Sequence, residues 1–185
     1  IHSDDPVTHS LNHSGRWCEI SAATNGGRDS VTIACYYGVS GATSSKARSH
    51  ANERLLSEAC LRLAVDDTVP YLLYADTNIA PHRSDTLTTM TRGGDMIDVI
   101  ADRCTDPRGP APTFRQGGVK TETLAHDAAY TSRIDVIYAN RAGNAAIHST
   151  RYRGDCAVQT VLDHIPIDCD LVGEKFETSF NSLKP

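Results

Sequence analysis

The sequence predicts one α/β domain, in which strands and helices share a core, and three observations carry that prediction. Residues 71–75 (Tyr71-Leu72-Leu73-Tyr74-Ala75) follow Pro70, are apolar on both faces and are too short for a helix. They read as a central strand covered on both sides. Residues 46–65 repeat Leu55, Leu56, Ala59, Cys60 and Leu63 at helical spacing, with Arg54, Glu58 and Arg62 outside the stripe, which predicts an amphipathic helix. Residues 131–139 and 161–167 add two more strands, the second an edge or a strand start because Pro166 has no N–H to donate to a ladder. With 185 residues, 39% of them hydrophobic and 22% charged, the chain can bury one sizeable core.

Taken in order, residues 1–15 are polar, lack a consistent period and are expected to be poorly ordered. His9 and His13 lie four apart and would share a helix face for a metal, but a solvated tail is the favoured reading. Residues 16–22 and 30–37 are two strands around Asn25-Gly26, a strong hairpin signal. The small residues of 38–45 form a loop, and Ser44 or Ser45 caps the helix over 46–65. A short helix over 85–92 is closed by Gly93-Gly94. Residues 95–101 are a strand or a short helical turn. Residues 106–118 hold three prolines and three glycines and so form a long loop, with Thr113-Phe114 a brief strand inside it. Residues 120–129 are ambiguous, strands follow over 132–140, 145–152 and 164–171, and 173–185 trail as a C-terminal tail. The ordered domain therefore spans 16–172.

The six cysteines (Cys18, Cys35, Cys60, Cys104, Cys156, Cys169) form no C-x-x-C pair, which removes zinc-ribbon and thioredoxin readings. Cys35, Cys60 and Cys169 fall among apolar positions and read as small buried hydrophobes. All six are expected as reduced thiols in an intracellular compartment, the nucleus or the cytoplasm, with a disulfide framework left as the alternative because their number is even. No apolar run reaches the length of a membrane span, so no membrane partner is expected. The net charge of −5 is unhelpful for gripping a polyanion, yet residues 101–153 carry +3 of local charge, a surface that can meet phosphates.

Three acids mark the predicted strand ends: Asp76 with Asn78 two residues on, Asp135 facing opposite to Ile134 and Val136, and Asp163 beside His164 immediately before a strand. Asp76 and Asn78 are expected on one face, since side chains alternate along a strand. Carboxylates gathered at strand ends make an acidic crevice, although a lone Asp-x-Asn reads first as an Asx turn closing the strand.

The ordered set Ala75-Asp76-Thr77-Asn78, Ser132-Arg133-Ile134-Asp135 and Leu162-Asp163-His164 resembles the late motifs of the endonuclease/exonuclease/phosphatase superfamily. Those motifs run Gly-Asp-x-Asn, Ser-Arg-x-Asp and Ser-Asp-His on the deoxyribonuclease I-like fold. Residues 30–40, a strand ending in tyrosine before a small-residue turn, extend the match, which runs from about Trp17 to Leu171. Pro112-Thr113-Phe114-Arg115 is similar to a segment of the apurinic/apyrimidinic-type endonuclease domains of non-long-terminal-repeat retrotransposons. The resemblance implies part of a four-layer sandwich, two packed and mainly antiparallel or mixed sheets flanked by helices. It implies a divalent-metal phosphodiesterase, with Mg2+ or Mn2+ on Asp163. Asp76 would hold the nucleophilic water, Asn78 would orient the phosphate, and Asp135 would pair with His164 against it. Tyr37 is carried over as a hydroxyl donor. Arg133, Thr113, Phe114 and Arg115 are the expected substrate contacts.

Ala75 replaces the motif glycine, and Leu162 replaces the serine that would orient Asp163. No counterpart of the superfamily's early metal-binding glutamate precedes Trp17, so the chain is expected to be the later two-thirds of a domain. Its expected partners are nucleic acid, DNA ahead of RNA, the preceding part of its own domain and a downstream polyprotein domain. Two classes stay open: a DNA endonuclease module of a mobile element, or a non-catalytic remnant kept for binding or structure. A phosphatase of the same superfamily is a further enzyme reading.

Overall fold

A computed structural model describes residues 9–24, 29–114, 132–153 and 164–172. Within them a five-stranded mixed sheet runs in the order β1 (Trp17–Thr24), β2 (Asp29–Tyr37), β3 (Tyr71–Asp76), β5 (Asp135–Ala139), β4 (Ile97–Asp98), and a two-stranded sheet, β6 (Ile147–Tyr152) with β7 (Ile167–Leu171), packs on one of its faces. The two predicted strands pair: β1 runs antiparallel to β2, and the Asn25-Gly26 turn signal lies outside the described residues. Helix α2 (Lys46–Ala64) then carries the chain to β3 (Tyr71–Asp76), which lies parallel to β2. Ser45 caps α2, its hydroxyl accepting from the Arg48 N–H.

Strand β3 is covered on both sides because its two faces enter different cores. Tyr71, Leu73 and Ala75 pack with Leu55, Leu56, Leu63 and Tyr138 beneath α2, whereas Leu72 packs with Ile137, Val99 and Ile147 between the sheets. Helix α3 (Asp85–Gly93) ends on Gly94, whose φ of 81° is the left-handed cap that glycine adopts without cost. Residues 95–101 resolve into both predicted forms, β4 (Ile97–Asp98) followed by α4 (Val99–Asp102). Strand β5 (Asp135–Ala139) runs antiparallel to β3 and β4, and β6 (Ile147–Tyr152) pairs with β7 (Ile167–Leu171).

Three expectations need correction. Residues 9–13 are not a loose tail: they form helix α1 (His9–His13), with Leu11 fully buried and its N–H donating to Glu58 at 2.7 Å. His13 Nδ1 lies 2.8 Å from the His9 carbonyl, so its ring is engaged with backbone. Before β6 the chain makes helix α5 (Arg141–Ala146), capped by Asn140. Cys35 is exposed rather than buried, while Cys60 is in the core and Cys169 is half-buried. The ambiguous stretch 120–129, Cys156 and the tail 173–185 lie outside the described residues. Among the described residues, no helix is long and apolar enough to cross a membrane.

Candidate active site

The end of β3 and the start of β5 meet in one antiparallel step that sets Asp76 directly opposite Asp135. Side chains so paired share a face with Cβ atoms about 4.5–5.5 Å apart. Two carboxylates held there repel each other unless a cation or donor lies between them. His164 supplies one donor: its Nδ1 is 2.9 and 3.1 Å from the two Asp135 oxygens. One ligand atom from each of Asp76, Asp135 and His164 falls within 4.8 Å of the others. They line a groove of about 340 Å³ shared with Tyr74, Val136 and Pro166.

The surroundings explain how those groups are held. Thr113 is fully buried, and its Oγ1 accepts the N–H groups of Ile134 at 3.2 Å and Asp135 at 3.0 Å. Ile165 N–H donates to the Thr113 carbonyl at 2.8 Å, which brings the segment bearing His164 onto the same residue. Phe114 bridges both Ser132 and His164, and its ring centroid lies 5.0 Å from the imidazole. Thr77, also buried, ties β3 to β5 by donating its N–H and its hydroxyl to the Ile134 carbonyl.

The predicted residues are brought together unevenly. Asp76, Asp135 and His164 converge, and Tyr37 sits beside Asp76 in the parallel ladder, half exposed at 50%, its hydroxyl 3.2 Å from Ser40 Oγ. Strand β3 ends at Asp76, so alternation does not reach Asn78. Asn78 instead takes φ 51°, donates its N–H to Asp76 Oδ1 and its side-chain amide to the Gly38 carbonyl. Asp135 stands at the beginning of its strand, because β5 runs against β3. Two expected substrate contacts are corrected. Thr113 is buried behind the acids, and Arg133 turns its guanidinium onto Asp98 at 2.5 and 2.8 Å, with only 14% of its side chain exposed. Asp163 and Arg115 lie outside the described residues.

Sequence reasoning missed Asn52. It is fully buried in α2, accepts from Tyr36 Oη at 3.1 Å and Val39 N–H at 2.8 Å, and donates to the Thr77 carbonyl at 3.0 Å. That knot fixes the ends of β2 and β3 beside the acids. Gly38 is needed there, since a Cβ would come within 2.5 Å of the Thr77 carbonyl oxygen. The available signal was an amide on the apolar stripe of α2, one turn before Leu55 and Leu56. Burial raises the Tyr36 phenol well above its ordinary pKa, so that group stays a neutral donor.

The donor set bears on metals too. Two carboxylates and an imidazole offer two hard oxygens and one nitrogen, a set that can hold a divalent cation.

No family model matches the chain, and no curated protein matches it. Solved structures do. The catalytic domain of Xenopus laevis APE2 superposes with a TM-score of 0.62 at 13% identity, over 89% of this chain and 58% of that one. An AP endonuclease from Archaeoglobus fulgidus gives 0.61 at 13% identity, over 92% of this chain and 84% of that one. The 3′ phosphatase NExo from Neisseria, bound to a product DNA hairpin, gives 0.55 at 14% identity, with 92% and 84% covered. Others of the same fold carry the endonuclease/exonuclease/phosphatase name. The chain thus has the deoxyribonuclease I-like fold of that superfamily, and spans little more than half the length of the APE2 domain.

Proposed function

We propose that this chain carries the reaction centre of a divalent-metal phosphodiester hydrolase acting on nucleic acid. The observation that supports it is the Asp76–Asp135 step, with His164 bonded to Asp135 at the mouth of the groove. In this reading Asp135 accepts from Nδ1 of His164, which fixes the tautomer and leaves Nε2 to meet a phosphate oxygen. Asp76 accepts a proton from the attacking water. Asn78, folded back on Asp76 and Gly38, keeps that carboxylate oriented. Carboxylate oxygens of Asp76 and Asp135, with Asp163 of the third motif, would hold the cation, which neutralises charge on the phosphate when bound.

DNA is the proposed substrate, in keeping with the hairpin bound by NExo. That neighbour is called a 3′ phosphatase, so phosphomonoester release is the second reading of the same groove. The mobile-element reading rests on Pro112-Thr113-Phe114-Arg115, Mg2+ is proposed ahead of Mn2+, and the free thiols support an intracellular setting. The test is nicking of supercoiled DNA with Mg2+ or Mn2+, run beside phosphate release from a 3′-phosphorylated oligonucleotide. Asp76→Asn and His164→Ala should each lower the rate by about 10²-fold or more, the usual size of a general acid–base contribution. Parent-like activity in either variant would refute the assignment.

A further inference from the structure

The β1–β2 ladder sets two cysteines opposite each other, Cys18 on the edge strand and Cys35 on its neighbour. Of the five described cysteines these two are exposed, the other three being buried or half-buried. Their spacing follows from the ladder. Tyr37 N–H donates to the Arg16 carbonyl at 2.9 Å, which makes 16 and 37 a hydrogen-bonded pair, and the pattern repeats every second residue. Cys18 and Cys35 are therefore also a hydrogen-bonded pair, with Cα atoms about 5.5 Å apart, inside the range of roughly 4.4–6.8 Å that a disulfide spans. Directly paired side chains share a face. The thiols also sense each other: burial and then the neighbouring Cys18 raise the pKa of Cys35.

We infer that Cys18 and Cys35 form a modification site, a dithiol that closes into a reversible disulfide when it meets a small disulfide such as oxidised glutathione. The thiolate of Cys18, on the exposed edge strand, attacks one glutathione sulfur, expelling one glutathione thiolate and leaving a mixed disulfide. Cys35, deprotonated, attacks the Cys18 sulfur of that adduct and expels the second glutathione. Two protein thiols are oxidised, one glutathione disulfide is reduced to two thiols, and the two cysteine protons pass to the leaving thiolates. The ladder holds the partners together, so closure needs little backbone rearrangement. Cys60 is a poor competitor, buried in the core with its thiol pushed up to about 12 by that burial. Cys169 Sγ is engaged with the Tyr74 hydroxyl at 2.6 Å. Cys35 also lines the groove with Tyr74 and Asp76, so the bond commits a sulfur of the groove wall.

The experiment is oxidation of the native chain by oxidised glutathione, alkylation, and tryptic mapping without reductant. Cleavage after Arg16, Arg28 and Lys46 separates the two cysteines, so the bond appears as peptide 17–28 joined to peptide 29–46. Two fewer alkylated cysteines and full reversal by dithiothreitol are expected. Cys18→Ser and Cys35→Ser should each abolish the joined peptide and stop at a glutathione adduct on the remaining thiol. Linking in the folded chain should outpace a urea-unfolded control by about tenfold or more, because the ladder raises the effective concentration. Persistent alkylation of both cysteines, a bond to another cysteine instead, or equal rates in the unfolded chain would each overturn the inference.

Discussion

Asp135 is held from two directions, by Thr113 at its backbone and His164 at its carboxylate. The two grips do different work. His164 offsets the charge that Asp76 opposes, whereas Thr113 fixes where β5 begins and thereby which residue faces Asp76. Replacing Thr113 with Val keeps the shape but removes the acceptor of two N–H groups. An orphaned buried donor costs about 1–3 kcal/mol, so Thr113→Val should lower unfolding free energy by at least that much in urea titration. A structural role alone would leave the groove's geometry unchanged in the surviving folded protein. A positioning role predicts in addition that the His164 ring signals shift in NMR spectra. Unaltered stability and unaltered His164 resonances would show that Thr113 neither supports nor positions Asp135.

Among the elements, those with a clear local pattern were legible and helices α1 and α5 were not, for physical reasons visible in particular residues. Strand β3 and helix α2 announce themselves through long, consistent apolar patterns. Helix α1 has one apolar residue, Leu11, and its burial depends on docking against α2, a tertiary contact that no local period encodes. Helix α5 carries Gly143 and Asn144, poor helix formers, and is started by Asn140. Asn140 is itself a buried hub that accepts from Tyr71 and Gly143 N–H groups and donates to the Asp66 and Val69 carbonyls. The acids of the site were legible as strand ends, but their opposition was not, because it arises from an antiparallel register between residues 59 positions apart. Two substitutions test the element-level reading. Leu11→Ala should cost about 3 kcal/mol by leaving a cavity under α1, and a loss near zero would mean that α1 does not dock. Asn52→Leu should cost about 3 kcal/mol or more, since it strands the Tyr36 hydroxyl, the Val39 N–H and the Thr77 carbonyl. Equilibrium unfolding in urea measures both.

At the scale of the molecule, the groove joins the end of β3, the start of β5 and the segment before β7, pieces far apart in the chain. A ligand that bridges them must stabilise the whole fold, because the unfolded chain has no such site. Occupancy at a hundred times the dissociation constant contributes about 2.7 kcal/mol, which for a domain of this size raises the melting temperature by roughly 5–10 °C. Mg2+ and Ca2+ should therefore both raise the melting temperature of the parent chain, Ca2+ serving as an oxygen-seeking cation of looser geometry. Asp76→Asn separates this effect from a general salt effect. It removes one of two like charges facing each other across the ladder, so without cation the variant should melt no lower than the parent. It also removes an anionic ligand, so the rise with cation should shrink or vanish. Calorimetry of both proteins, with and without each cation at constant ionic strength, reads the crossing directly. Equal cation-dependent rises in parent and variant would place the cation elsewhere, and no rise in either would remove metal binding from this groove.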